Sequence, residues 1–289
     1  MSSRASHWVH DLDPVIFQIT DTLAIRWYGL AYVAGFLVAF GLSNLYWKRG
    51  RSTVAPALQE TLAMAMILGV VLGGRLGYFL LYDLQDFLRN PLIFFQVWKG
   101  GMASHGGFAG VALAIIWVAR KHRLQPLYLG DLIASVTAPG LFFGRLANFV
   151  NGELWGRVTE VPWAVIFPKS APAGMPVHLI PPRHPSQLYE AALEGLLVFA
   201  YIQWRFWTVN GRGSGSTAHR PSARPGHLTG EFLVFYSIGR WISEMFREPD
   251  AALILSMSRG SFYSLFILAG GIGLIAWSRG WLLTNRQSK

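Results

Sequence analysis

Several side chains able to bind an anion or move a proton stand inside stretches that are otherwise apolar. Arg75 lies in GVVLGGRLGYFLLY, and Tyr78 and Tyr82 follow at i+3 and i+7, so on a helix the three share a face. Arg145 and Asn148 stand three apart in GRLANFVNGE, with Glu153 just beyond. Tyr236, Arg240, Glu244 and Arg247 form a stripe at i, i+4, i+8 and i+11. Tyr28 follows Arg26 at the start of another apolar stretch, His105 sits in GGMASHGG, and His184 precedes a further one. An ionisable residue within apolar surroundings is expensive and is by default a functional hypothesis. Taken singly, each also reads as a buried structural pair, Arg240 with Glu244 one turn on above all. Guanidinium groups from separate helices suit a phosphate, because each offers a planar fork of donors. Tyr and Asn add neutral donors, and the glycines after His105 let backbone approach a ligand closely. Apolar surroundings favour a phospholipid head group over a soluble anion.

The elements that hold these residues read as membrane helices. The chain has 289 residues, 52% of them hydrophobic and only 14% charged, where a soluble domain is nearer a quarter charged. Apolar stretches long enough to cross a bilayer fall at about 23–47, 57–82, 104–119, 129–150, 187–207, 229–247 and 261–283. The expected fold class is therefore all-α: a polytopic integral membrane protein of about seven transmembrane helices. Residues 1–289 form a single membrane-embedded catalytic domain in this reading. The first twenty residues carry Asp11, Asp13 and Pro14 and no apolar core, unlike a cleaved signal peptide.

Charge sets the expected orientation. Lys48, Arg49 and Arg51 follow the first stretch, Arg120, Lys121 and Arg123 the third, Arg205, Arg212, Arg220 and Arg224 the fifth, and Arg279, Arg286 and Lys289 the seventh. Most acidic residues fall in the alternate loops. The positive-inside rule then places the N-terminus outside (periplasmic) and the C-terminus in the cytoplasm. Residues 151–186, rich in Trp and Pro, become an extracytoplasmic cap between spans four and five; residues 208–228 become a flexible cytoplasmic linker. With that topology Tyr28, Tyr82, His105, Asn148, Glu153, His184 and Arg247 all come to the outer ends of spans. Arg75, Arg145 and Arg240 come to the outer halves. Unrelated structural pairs would not collect at one depth, so this convergence argues for one site open to the outer leaflet.

Other chemistries lack their residues. The net charge of +10 alternates with apolar spans, which fits cytoplasmic loops and an anionic lipid and not nucleic acid. With no cysteine there is no disulfide, thiolate metal site or Cys nucleophile. The eight His lack ligand spacing, so no metal is expected, and HExxH, Walker A and GxSxG are missing. A lipid or anion transporter would also place Arg inside spans, but predicts a midplane site and repeat symmetry, and no convincing repeat is visible. An intramembrane protease lacks its Ser or Asp motif here.

The string GRLANFVNGELWGR at 144–157 closely resembles the signature of the bacterial prolipoprotein diacylglyceryl transferases. RWYGLAY at 26–32, LGGRLGYFLLY at 72–82, GGMASHGG at 100–107, RHPSQLYE at 183–190 and YSIGRWISEMFREPD at 236–250 resemble further blocks in family order. The resemblance implies transfer of the diacylglyceryl group of phosphatidylglycerol to the lipobox cysteine of a preprolipoprotein. A thioether forms and glycerol phosphate leaves, as the first step of bacterial lipoprotein maturation in the inner membrane. No cofactor is implied, and the nucleophile is the substrate's thiol. By motif, His105 is the expected base and Arg145 and Arg240 are the essential arginines, catalytic in this reading. Tyr28, Tyr78, Tyr82, Asn148, Glu153, Gly156, His184, Tyr236, Glu244 and Arg247 are expected around the substrate. Three departures stand out: Ala147 replaces a common Gly, 256–266 lacks MGQ-like and Ser-x-Pro features, and the 208–224 linker is longer than is typical. The second bears on the entry to span seven and not, on this reading, on the site.

Overall fold

The computed structural model describes residues 7–20, 24–96, 100–209, 224–249 and 253–280. Helices cover each apolar stretch: α1 (Trp27–Lys48), α2 (Pro56–Tyr82), α4 (Ser104–Lys121), α5 (Pro126–Asn151), a continuous run from α6 (Ser186–Glu190) to α7 (Val198–Val209), α8 (His227–Glu244) and α9 (Arg259–Ser278). A short α3 (Leu84–Arg89) and a 3-10 turn (Pro91–Phe95) lie between α2 and α4. Among the described residues four helices, α1, α2, α5 and α9, are long and apolar enough to cross a membrane. α8 and the run to α7 carry charged residues within them, and α4 is short and glycine-rich, so by length and composition these three fall outside that group. The all-α expectation omitted four short strands found among the described residues. β1 (Trp8–Val9) pairs in parallel with β4 (Val165–Ile166), and β2 (Val15–Gln18) pairs antiparallel with β3 (Ala24–Arg26). Most of the expected 208–228 linker, residues 210–223, lies outside the described residues.

The chain divides into two compact units. Met1–Leu42, Ile133–Ser214 and Gly226–Lys289 make the first, and Ser43–Leu132 with Gly215–Pro225 the second.

In the second unit, α2 and α4 pack backbone to backbone. A Cβ on Gly69 would stand 2.5 Å from the carbonyl oxygen of Gly110, and one on Gly77 2.8 Å from the Gly106 Cα. Gly73 meets Gly106 as closely. The glycines recur every four residues on each helix, the small-residue seam by which apolar helices associate when lipid offers no hydrophobic drive. This is why the stretch at 104–119 is glycine-rich. Arg75, buried at 2% exposure, serves the segment between the two helices. Its Nε donates to the Phe94 carbonyl at 3.0 Å, Nη1 to Gly100 and to Gly101 at 3.1 Å, and Nη2 to Ile93 and to Gln96 at 3.4 Å. Its guanidinium also lies 4.7 Å over the Phe79 ring. Gly101 adopts a φ of +81°, and a Cβ there would stand 2.8 Å from the Tyr78 ring, closer than a side chain is tolerated. At the other end of this unit Tyr46, Val54, Val118 and Leu129 form the core, and the Tyr128 hydroxyl accepts the Thr53 N–H at 2.8 Å.

In the first unit, α5, the run to α7, and α8 with α9 supply the core. Gly230 and Gly271 let α8 and α9 touch, since a Cβ on either would stand within 2.9 Å of the other's carbonyl oxygen. Between α6 and α7 the chain winds as a π-helix over Ala191–Leu197. Gly195 there packs so closely on Phe142 of α5 that a Cβ would meet the Phe142 Cβ at 2.6 Å. The π turn is a tertiary product: it accommodates that contact while keeping Glu190 and Glu194 inside. At the opposite end of this helix set, Glu231 of α8 accepts from Arg205 of α7 at 2.8–3.0 Å, while His227 of α8 bonds Ser278 of α9 at 2.8 Å.

Candidate active site

Within the first unit three arginines and three glutamates from α5, α6, the π turn, α8 and the residues just after α8 meet. Arg145 Nη1 lies 2.9 Å from Glu190 Oε2, and Nη2 donates to Glu194 Oε2 at 3.0 Å. Arg240 Nη1 donates to Glu190 Oε1 and, at 3.3 Å, to Glu194 Oε1. The two guanidinium groups and two carboxylates thus close a ring in which each carboxylate bridges both arginines. Arg240 Nη2 also lies 2.5 Å from Glu244 Oε2, so the one-turn pair read in the sequence forms. Arg247 Nη1 donates to Glu190 Oε1 at 3.1 Å, and Ser243 Oγ to Glu194 Oε1 at 3.0 Å. Glu190 and Glu194 are wholly buried. A buried carboxylate is tolerable only when paired, and here each is held by two or three donors or cations. The Arg145 side chain is 18% exposed against 10% for Arg240 and 6% for Arg247, so Arg145 presents the open edge.

Neither glutamate was among the expected site residues. Both were visible as acids four apart in an apolar stretch, the same signal that singled out the arginines.

A crossover segment fixes the ends of the helices that carry this cluster. The stripe expected to run on one helix to Arg247 instead ends at Glu244. Arg247 leaves the helix to pair antiparallel with Gly156, as Arg157 and Trp155 take up the backbone groups of the residues on either side of it. Arg157 N–H donates to the Phe246 carbonyl at 2.9 Å and its Nε to the Arg247 carbonyl at 3.0 Å. On its other side, Gly156 N–H donates to the His184 carbonyl at 2.9 Å. A Cβ on Gly156 would stand 2.5 Å from the His184 oxygen and 2.6 Å from the Phe246 oxygen, so no side chain fits. Asn148 Nδ2 donates to Glu153 Oε1 at 2.8 Å, and Gln187 Nε2 to the Glu153 carbonyl at 2.6 Å. Arg183 bridges the Gly156 carbonyl and Glu248 at 3.0 and 3.1 Å. Residues 151–186 are therefore stitched to α5, α6 and the end of α8. His184 meets the Tyr189 hydroxyl at 3.1 Å, and burial lowers its imidazole pKa from the usual histidine value.

The remaining expected residues divide. Tyr236 lies one turn before Arg240 on α8, its ring stacked on Phe232. Tyr28, on α1, has its ring 5.2 Å from that of Tyr32. Tyr78, Tyr82 and His105 belong to the second unit. Tyr78 packs against Gly101, and Tyr82 is 69% exposed. His105 is the second residue of α4, and its side chain lies outside the described structure.

The 256–266 departure bears on the entry to span seven in the sequence reading, and the same segment also abuts the arginine cluster. α9 starts at Arg259, capped by Ser258 Oγ accepting from Ser261 N–H at 3.1 Å. A Cβ on Gly260 would stand 2.7 Å from Arg240 Nη2 and 2.8 Å from Glu244 Oε2. The missing side chain is what lets α9 close over that ion pair.

The prolipoprotein diacylglyceryl transferase family model matches residues 14–277. A phosphatidylglycerol–prolipoprotein diacylglyceryl transferase of Ruegeria pomeroyi is 46% identical over 254 residues, covering 84% of this chain and 83% of that protein. The enzymes of the same name from Idiomarina loihiensis and Rhizobium meliloti are 43% and 42% identical; the first covers 95% of this chain and 96% of its own length, the second 93% of each. The match spans both helices that bring the arginines together and the crossover that pins them, and the chain belongs to the prolipoprotein diacylglyceryl transferase family.

Proposed function

We propose that the protein transfers the diacylglyceryl group of phosphatidylglycerol to the thiol of a preprolipoprotein's lipobox cysteine. The C–O bond between the glycerol carbon and phosphate breaks, an S–C bond forms, and glycerol phosphate departs with the bond's electron pair. The observation that carries the reading is the ring joining Arg145 and Arg240, two guanidinium forks from separate helices with one open edge. Arg145 meets the phosphate through that edge and stabilises charge on the leaving group. Arg240, held by Glu190, Glu194 and Glu244, fixes the geometry. His105 takes the thiol proton, as an imidazole titrating near neutral pH is able to do. Tyr28, Tyr78, Tyr82, Asn148, Glu153, Gly156, His184, Tyr236, Glu244 and Arg247 line or brace the substrate site.

In this reading the helices make seven crossings of the bacterial inner membrane, with the N-terminus periplasmic and the site at the outer leaflet. Residues 151–186 then form the extracytoplasmic cap and 208–228 the cytoplasmic linker. The exposed apolar side chains of Leu37, Phe108, Leu113 and Phe266 support immersion in lipid. The test is lysine substitution. Lys keeps the charge and loses the bidentate fork, so Arg145→Lys and Arg240→Lys should each lose most turnover on phosphatidylglycerol and a lipobox peptide. Near-normal turnover in both would remove the forks from the mechanism.

A further inference from the structure

Arg145 and Arg240 each meet two carboxylates, so a phosphate that binds either must compete with them. The ring's carboxylates are unequal. Both oxygens of Glu194 accept hydrogen bonds, Oε2 from Arg145 at 3.0 Å and Oε1 from Ser243 at 3.0 Å. Glu190 Oε1 is also well served, by Arg240 and by Arg247 at 3.1 Å. Glu190 Oε2 is different. It pairs with Arg145 Nη1 at 2.9 Å and yet, among the described residues, accepts no hydrogen bond, as is also true outside the ring of Glu244 Oε2 against Arg240. The Glu190 oxygen is wholly enclosed, where an unmet acceptor is costly. It sits against the most exposed arginine of the cluster, so the weakest link in the ring is also the one nearest the open edge. The described cluster, Arg145, Arg240 and Arg247 with Glu190, Glu194 and Glu244, has no net formal charge, so a phosphate that reaches an arginine must compete with a carboxylate already bound to it.

We propose that Glu190 is a positioning residue that holds the Arg145 fork ready in place of the substrate phosphate, and that the phosphate binds by replacing the Glu190–Arg145 contact. Glu194 keeps the other half of the fork fixed through the exchange. Glu190, still bound by Arg240 and Arg247, stays within reach and repels the dianionic glycerol phosphate as it forms, which speeds its release. The inference rests on the diacylglyceryl-transfer reading.

The experiment compares wild type, Glu190→Gln and Glu190→Asp in detergent. It measures transfer kinetics on phosphatidylglycerol with a lipobox peptide, inhibition by glycerol 1-phosphate, and thermal stability. Gln keeps the size and removes the charge. Removing one charge within a few ångströms of the anion should tighten glycerol phosphate inhibition by about tenfold or more. KM for phosphatidylglycerol should fall with kcat, and Asp should restore wild-type inhibition. Weaker or unchanged inhibition of a folded Gln variant would overturn the proposal. If Gln fails to fold, Glu190→Met, which removes the charge at similar length, is read by the same criterion, and failure of both charge-free variants to fold while Asp folds would also overturn it, assigning Glu190 to stability alone. A wild type that forms no thioether product would sink the diacylglyceryl-transfer reading itself, a separate outcome.

Discussion

Replacing Gly156 by alanine adds one methyl group where the chain is pinched between two strands of backbone. That methyl would stand 2.5 Å from the His184 oxygen, 2.6 Å from the His184 Cβ and 2.6 Å from the Phe246 oxygen. Ordinary carbon–oxygen contact begins at 3.4 Å, so each side must retreat by nearly an ångström. Neither can do so by changing a rotamer, because the blocking oxygens are backbone atoms already hydrogen-bonded to Gly156 and Arg157. Overpacking costs about 1–3 kcal/mol, and opposed backbone contacts place this site at the upper end. At roughly 2 °C per kcal/mol for a chain of this size, the melting temperature should fall by roughly 5 °C. Function should suffer more than stability. Arg247, paired with Gly156 and next to Phe246, also holds Glu190. A shift of about 1 Å in a positioning group costs on the order of 10²-fold in rate. The assay is turnover on phosphatidylglycerol and lipobox peptide, beside thermal unfolding in the same detergent. Turnover within about twofold of wild type, with unchanged melting, would refute the claim that this crossover sets the arginine geometry.

Arg75→Lys should loosen the segment between α2 and α4, since one ammonium cannot serve carbonyls at Ile93, Phe94, Gln96, Gly100 and Gly101. At about 1–3 kcal/mol per buried group left unmet, the variant should melt earlier and be cut by protease within residues 84–103; full resistance would contradict the bracing role. His105→Gln should lose about 10²–10⁴ in rate and recover partly as pH rises toward a free thiol pKa of about 8.5. Equal inactivity up to about pH 9, in folded and lipid-bound protein, would leave His105 a positioning role only. The chain has no cysteine of its own, so single cysteines report topology cleanly. An impermeant thiol reagent on intact cells should label a cysteine at Ser170 and spare one at Ser216, and the reverse result would invert the orientation.

Much of the fold was legible because apolar length is a property of the chain alone: each of the seven stretches became a helix with ends shifted by a few residues. The Arg240–Glu244 pair was legible because a spacing of four puts two side chains together on any helix. What escaped depends on neighbours distant in sequence. The π turn that presents Glu194 answers to Phe142, about fifty residues upstream. Arg247 looked like a helical residue by spacing, but the helix stops where Gly156 and Arg157 offer competing backbone partners. Arg75 stood out as a charge among apolar residues, yet its partners are carbonyls, which every residue carries and no motif reveals. Gly260 escaped because a small residue signals close approach without saying to what.

The most direct test of the account is the chemistry itself. Purified protein is incubated with phosphatidylglycerol of defined acyl chains and a lipobox peptide, and both products are measured by mass spectrometry. The account predicts a peptide heavier by one diacylglyceryl group in thioether linkage to its cysteine, with one glycerol phosphate released per peptide modified. A peptide carrying a single acyl group, or glycerol phosphate released without any modified peptide, would contradict it.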